Sequence, residues 1–281
     1  MVMSERSLLG LGPQGFHTIA YTQWGESHNK NVLICVHGLT RNGRDFDDLA
    51  LSLSDRWRVL CPDMVGSGNS DWLANATDYT YGQYQNDATA LIARGGTPKV
   101  DWVGTSMGGL IGLLLAAQSN SPIRRLVLND VGPFVPRAAL ERIRKCVCKE
   151  PIFPDLAAAE AYLRQVNVSF GRLTNAQWQR MARTMTRLRS DNGYELNYDP
   201  GVTLSLQVEA LADMEMWSVW EKVRCPVLVL RGQVSDLLTA ETAERMRTCG
   251  AQVVEIPDCG HAPALMDPHQ IGVIRDFLMA S

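Results

Sequence analysis

Short apolar runs recur along the chain, each closing in a turn rich in Gly, Asp or Pro. They read VLICVHG (32–38), WRVLCPD (57–63), VDWVGTS (100–106), RRLVLND (124–130), CPVLVLRG (225–232) and AQVVEIPD (251–258). Apolar residues follow one another in these runs instead of alternating, as in strands buried on both faces of a parallel sheet. Between them the spacing predicts helices over 45–53, 82–93, 107–117, 240–249 and 269–279. Strand, turn, helix, strand is the pattern of an α/β fold. The segment HTIAYTQWG (17–25) does alternate and is expected to form an antiparallel edge strand.

One interval breaks this rhythm. From 131 to 222 no good strand is visible, and helical patterns take over in PRAALERIRKCV, DLAAAEAYLRQV and NAQWQRMARTMTRLRS. The interval is too long for an ordinary loop. It reads as a helical insertion lying over the C-terminal edge of the sheet, which leaves 1–130 and 223–281 as one core domain.

Charge and length narrow the function classes. With 27 basic and 30 acidic residues, the formal net charge of −3 argues against nucleic acid or an anionic membrane as partner. The longest apolar run, Leu110 to Ala117, is far short of the roughly 18 residues that span a bilayer. The opening MVMSERSLLGLG lacks a signal peptide's basic start and long apolar core, so a cytoplasmic protein is expected. The seven cysteines do not suggest a disulfide framework, and Cys146 and Cys148, the one close pair, have no histidine nearby to complete a metal site. No metal or cofactor is expected. Oligomeric state is left open between a monomer and a homodimer.

Chemistry concentrates where the run VDWVGTS gives way to the helix that follows. Gly104-Thr105-Ser106-Met107-Gly108 places a serine between a buried strand and a helix start, the context in which G-x-S-x-G marks an exposed nucleophile. A glycine-rich turn that merely packs a helix on a sheet is the plainer reading. A serine hydroxyl needs a base to take its proton. Of five histidines, His17, His28 and His269 read as surface or capping residues, and His37 as support for its own turn. His261, in the loop PDCGHAP after the last strand, is the expected base. Two aspartates at strand ends compete to orient it, Asp130 in VLNDVG and Asp236 in RGQVSDLLT. Asp236 is favoured, since it follows the strand next to the one that delivers His261. The backbone N–H groups of Met107 and of Leu39, in CVHGL, are expected to form an oxyanion hole. Arg41 and Arg44 fall near the mouth of such a site, where they would meet a substrate carboxylate or simply face solvent.

Together these stretches resemble the α/β-hydrolase superfamily: HGLT (37–40), PDMVGSGNS (62–70), GTSMGG (104–109), RGQVSDLL (231–238) and DCGHAP (258–263). The resemblance implies a mostly parallel central sheet flanked by helices, a helical cap over 131–222, and the order nucleophile, acid, histidine, met by Ser106, Asp236 and His261. It also implies that PDMVGSGNS is a structural turn. Dehalogenases and epoxide hydrolases of that superfamily use an aspartate nucleophile, where this chain has Ser106. C–C hydrolases of ring-cleavage products typically carry Asn before the serine and an aromatic residue after the histidine; here Thr105 and Ala262 stand there. The expected activity is therefore hydrolysis of small-molecule carboxylic esters through an acyl-enzyme. C–C hydrolysis and non-catalytic ligand binding on the same fold are the alternatives. Trp178, Met181, Met185 and Trp217 are candidate pocket-wall residues, with core packing an equal expectation for each.

Overall fold

The structure, a computed structural model, describes residues 3–207 and 210–280. The apolar runs become the strands of an eight-stranded sheet: β1 (Ser4–Gly12), β2 (Gly15–Trp24), β3 (Val32–Val36), β4 (Arg58–Pro62), β5 (Val100–Thr105), β6 (Ile123–Asn129), β7 (Val227–Gly232) and β8 (Gln252–Ile256). Their order is β1-β2-β4-β3-β5-β6-β7-β8. Pairing is antiparallel from β1 through β2 to β4 and parallel from β4 to β8. Every residue of β3 and β7 is buried, which explains the apolar runs VLICV and VLVL, while the buried Arg231 of β7 is bonded to the Leu238 carbonyl and to Glu255. Strand β1 was not expected from its sequence: SERSLLGLG leaves most of its side chains exposed or half-buried at the sheet's edge.

Helices α1 (Asp47–Leu53), α2 (Tyr81–Gly95), α3 (Met107–Ala116), α8 (Ala240–Thr248) and α9 (Pro268–Met279) cover the sheet. One face packs Trp102 and Leu126 against Leu91, Ile111 and Met246 of α2, α3 and α8. The other packs Leu33 and Leu228 against Leu49 and Leu53 of α1 and Ile274 and Phe277 of α9. Helix α2 shows the local logic. Tyr84, Ala88 and Leu91 form its buried stripe, the Thr80 hydroxyl accepts from the Gln83 N–H, and Gly96 ends it at φ 62°.

The segment 131–222 leaves the sheet between β6 and β7. Phe134–Val135 pairs antiparallel with Met214–Glu215, so the two ends of the insertion are clasped together. Within it lie α4 (Arg137–Val147), α5 (Leu156–Val166), α6 (Asn175–Met185) and the short α7 (Trp217–Trp220). The expectation of no strand here is corrected. Ile152–Phe153, Thr186–Leu188 and Tyr194–Leu196 form a small antiparallel sheet, and the extended backbone of Thr186 ends α6 at Met185, five residues short of 190, where the helical pattern of the sequence runs out. Helices α5 and α6 build their own core from Leu163, Trp178, Met181, Ala182 and Met185.

Candidate active site

At the end of β5 the chain turns through Ser106, at φ 51° and ψ −116°, directly into α3. A left-handed φ is costly for a residue with a Cβ, about 1–3 kcal/mol, and must be held by its surroundings. Two glycines allow that. A Cβ on Gly104 would collide with the Gly108 carbonyl, and one on Gly108 with the Val36 carbonyl, so α3 lies against β5 and β3 with nothing between. The Ser106 N–H donates to the Asn129 carbonyl at 3.1 Å, which anchors the turn to β6.

His261 reaches the serine from the loop after β8. Its Nε2 is 3.0 Å from Ser106 Oγ, and its Nδ1 is 2.8 Å from Asp130 Oδ2. The loop is tied on several sides. Asn129 Nδ2 donates to Thr105 Oγ1 at 3.0 Å and to the Pro263 carbonyl at 2.9 Å. From the insertion, Ser169 Oγ donates to the His261 carbonyl at 2.5 Å, and Gly260 N–H donates to the Ser169 carbonyl at 2.8 Å. None of Asn129, Ser169 or Ser235, met below, stood out in the sequence.

The expected acid, Asp236, is elsewhere. Asp130 is fully buried just beyond β6 and also accepts from the Gly232 N–H at 2.7 Å and Ser235 Oγ at 2.6 Å. Three donors thus hold its carboxylate beneath the imidazole. The reason is the turn after β7: the Ser235 N–H bonds the Gly232 carbonyl, and Ser235 takes the inward position. One residue further, Asp236 faces out and pairs with Arg142 of α4, with Nη2 to Oδ1 at 2.8 Å and Nε to Oδ2. Partial burial pushes the Asp236 carboxyl up, but Arg142 outweighs it and holds the group below its ordinary range. A sequence signal did exist. Asp130 follows its apolar strand immediately, as Ser106 follows β5, whereas a turn separates Asp236 from β7.

The remaining histidines sort differently from the expectation in one case. His17 is buried and bonds Asp87 at 2.9 Å, so it is neither a surface nor a capping residue. His37 donates from Nδ1 to the Gly38 carbonyl at 2.7 Å and accepts the Met64 N–H on Nε2 at 2.9 Å. Complete burial lowers its pKa to about 4, so it is a neutral brace for the loop that carries Leu39. The N–H groups of Leu39 and Met107 bond no other described residue, and both residues line the cavity over Ser106. In PDMVGSGNS, Asp63 accepts the Gly43 and Asn69 N–H groups at 2.8 Å each, away from the serine.

That cavity, about 700 Å³, lies between the sheet edge and the insertion. Its wall is largely aliphatic, with Leu110, Val135, Leu140, Ile143 and Leu206 among its residues. Of the candidate wall residues, Met185 and Arg41 line it. Trp178 and Met181 instead fill the core of α5 and α6, and Trp217 stacks edge-on to Trp220 with Arg245 over its ring. Arg41 is held by Asp45 at 2.6 and 2.8 Å, and Arg44 is paired with Asp47, off the cavity wall. Among the described residues, no three His, Cys, Asp or Glu side chains converge as metal ligands would. No helix among them is long and apolar enough to cross a membrane.

Comparison with known proteins agrees with this fold. A family model described as the alpha/beta hydrolase family matches residues 33–271. The chain is 45% identical over 277 residues to a 3-hydroxybutyrate-oligomer hydrolase of Cupriavidus necator, covering 95% of this chain and 94% of that one. It is 28% identical to a 2-(acetamidomethylene)succinate hydrolase of Mesorhizobium japonicum, over 89% of this chain and 88% of the other. A crystal structure of an alpha/beta hydrolase from Novosphingobium aromaticivorans superposes with a TM-score of 0.88 at 35% identity, covering 98% of each chain.

Proposed function

The chain belongs to the alpha/beta hydrolase family and is a hydrolase of ester bonds, and from that premise we propose that it cleaves short oligomers of a hydroxyalkanoic acid such as 3-hydroxybutyrate. The observation that carries the reading is the relay Asp130–His261–Ser106, at 2.8 and 3.0 Å, opening into an aliphatic cavity. His261 Nε2 takes the Ser106 proton as Oγ attacks the ester carbonyl, and Asp130 steadies the imidazolium that forms. The tetrahedral oxyanion accepts from the Leu39 and Met107 N–H groups, which have no competing bond among the described residues. His261 then protonates the departing alcohol, and water, deprotonated by the same nitrogen, releases the acid. The insertion 131–222 acts as the cap that shelters these steps from bulk water.

The cavity's volume falls in the roughly 300–1,000 Å³ range of small-molecule sites, and its wall suits the methyl and methylene groups of such oligomers. The relative from Cupriavidus necator supports the choice of substrate. A cytoplasmic location belongs to the same reading and is supported by seven cysteines that are all free thiols. A homodimer stays among the states a sedimentation experiment would assign.

The test is hydrolysis of 3-hydroxybutyrate trimer, followed by release of monomer and dimer. Wild type should turn it over and Ser106→Ala should not. Equal rates in the two would refute the serine mechanism. Faster consumption of a ring-cleavage dienoate than of any ester would move the assignment to C–C hydrolysis.

A further inference from the structure

The triad does not use Arg142 or Asp236, yet both stand beside it. Arg142 lines the same cavity as Ser106 and His261, close to the seam where α4 of the insertion meets the loop after β7. Asp236 engages one edge of the guanidinium, Nε and Nη2. The other edge, Nη1 with the far side of Nη2, bonds no other described residue, and the side chain is 44% exposed. A guanidinium presents donors on more than one edge, so one carboxylate can orient it while a second is bound.

Topology fixes which side of the serine this is. Ser106 follows β5, whose neighbours are β3 on one side and β6, then β7, on the other. Asp130 follows β6, Asp236 follows β7 and His261 follows β8, so all three lie on the second side. The leaving oxygen must receive its proton from His261 Nε2 and therefore departs on that side as well. Arg41, the other arginine on the cavity wall, follows β3 on the first side, with its guanidinium over the Phe170 ring at 5.0 Å.

We propose that Arg142, held by Asp236, binds the free carboxylate of the fragment that leaves as the alcohol. Resting on the oligomer reading above, this makes the enzyme recognise the carboxyl-terminal end of the oligomer, because the free carboxylate stays on the alcohol fragment whichever ester bond is cut. Ester cleavage itself is balanced as before, the alcohol taking the proton from His261 and water supplying the hydroxyl of the acid. Asp236 is a positioning residue in this scheme. It keeps the guanidinium turned toward the cavity mouth.

The test uses a matched pair of esters, 3-(butanoyloxy)butanoate and its methyl ester, and reads the ratio of their kcat/KM values. Wild type should favour the free acid through a lower KM. Arg142→Gln should reduce that preference about tenfold, the size expected for a charge-assisted contact that water partly screens. Arg142→Lys should restore part of it, and Asp236→Asn should weaken it less than Arg142→Gln does. An ester with its carboxylate on the acyl side, monoethyl glutarate, should show no such dependence. An unchanged free-acid preference in Arg142→Gln would overturn the assignment. If wild type cleaves the ester pair with this arginine-dependent preference but leaves hydroxybutyrate trimer intact, the oligomer reading fails and the role of Arg142 stands. If trimer is cleaved and the preference does not move, the reverse holds.

Discussion

The sheet edge and the insertion above it hold their side chains in different ways. At the edge, Ser106 and Asp130 follow directly on strand ends, and buried bonds from neighbouring strands fix each of them. Across the seam, the insertion also rests on the core through partly exposed ion pairs, Arg142 on Asp236 and Arg180 on Asp48. The first kind of contact is stiff and specifies a reaction. The second tolerates change and is where substrate choice can be tuned.

This contrast can be broken most severely at the serine. Ser106→Ala should lower kcat for any ester by about 10³-fold or more, because the remaining groups cannot form an acyl-enzyme. Steady-state kinetics checks it, and a residual rate within tenfold of wild type would place the chemistry elsewhere.

A smaller effect tests the stiffness of the buried edge. His37 has a folded-state pKa of about 4, below its unfolded value near 6.5. Its contribution to stability is complete above pH 6.5 and is lost as pH falls toward 4, because only the unfolded chain gains the proton in that window. The loss should reach about 3 kcal/mol. Urea unfolding at pH 7 and pH 5 should show the decline in wild type and a shallower one in His37→Gln. Parallel declines would mean that His37 is not the group responsible.

The seam should respond least. Arg180 and Asp48 are partly exposed, so Arg180→Ala should reduce unfolding free energy by less than about 1 kcal/mol. A loss of several kcal/mol would show that the seam is as stiff as the edge below it.

The same contrast explains what could be read from the sequence. Parallel strands buried on both faces leave long apolar signatures, and the G-x-S-x-G turn and His261 stand at their ends. Strand β1 escaped because its exposed edge carries polar residues, and the short strands of the insertion because two- or three-residue pairings leave no periodicity. Trp178 and Met181 could not be separated from Met185 by composition, since the insertion supplies both a core and part of the cavity wall. The acid was misassigned because two aspartates stood at neighbouring strand ends, and the side chain of Ser235, one position before Asp236, decided which of them faced inward.

That choice is the central claim, and one paired measurement tests it. With a neutral ester as substrate, Asp130→Asn should lower kcat by about 10³–10⁴-fold, since an amide at that position holds the imidazole in the wrong tautomer. Asp236→Asn should lower kcat by less than about tenfold. The opposite ranking, with Asp236→Asn the more damaging change, would contradict the relay through Asp130.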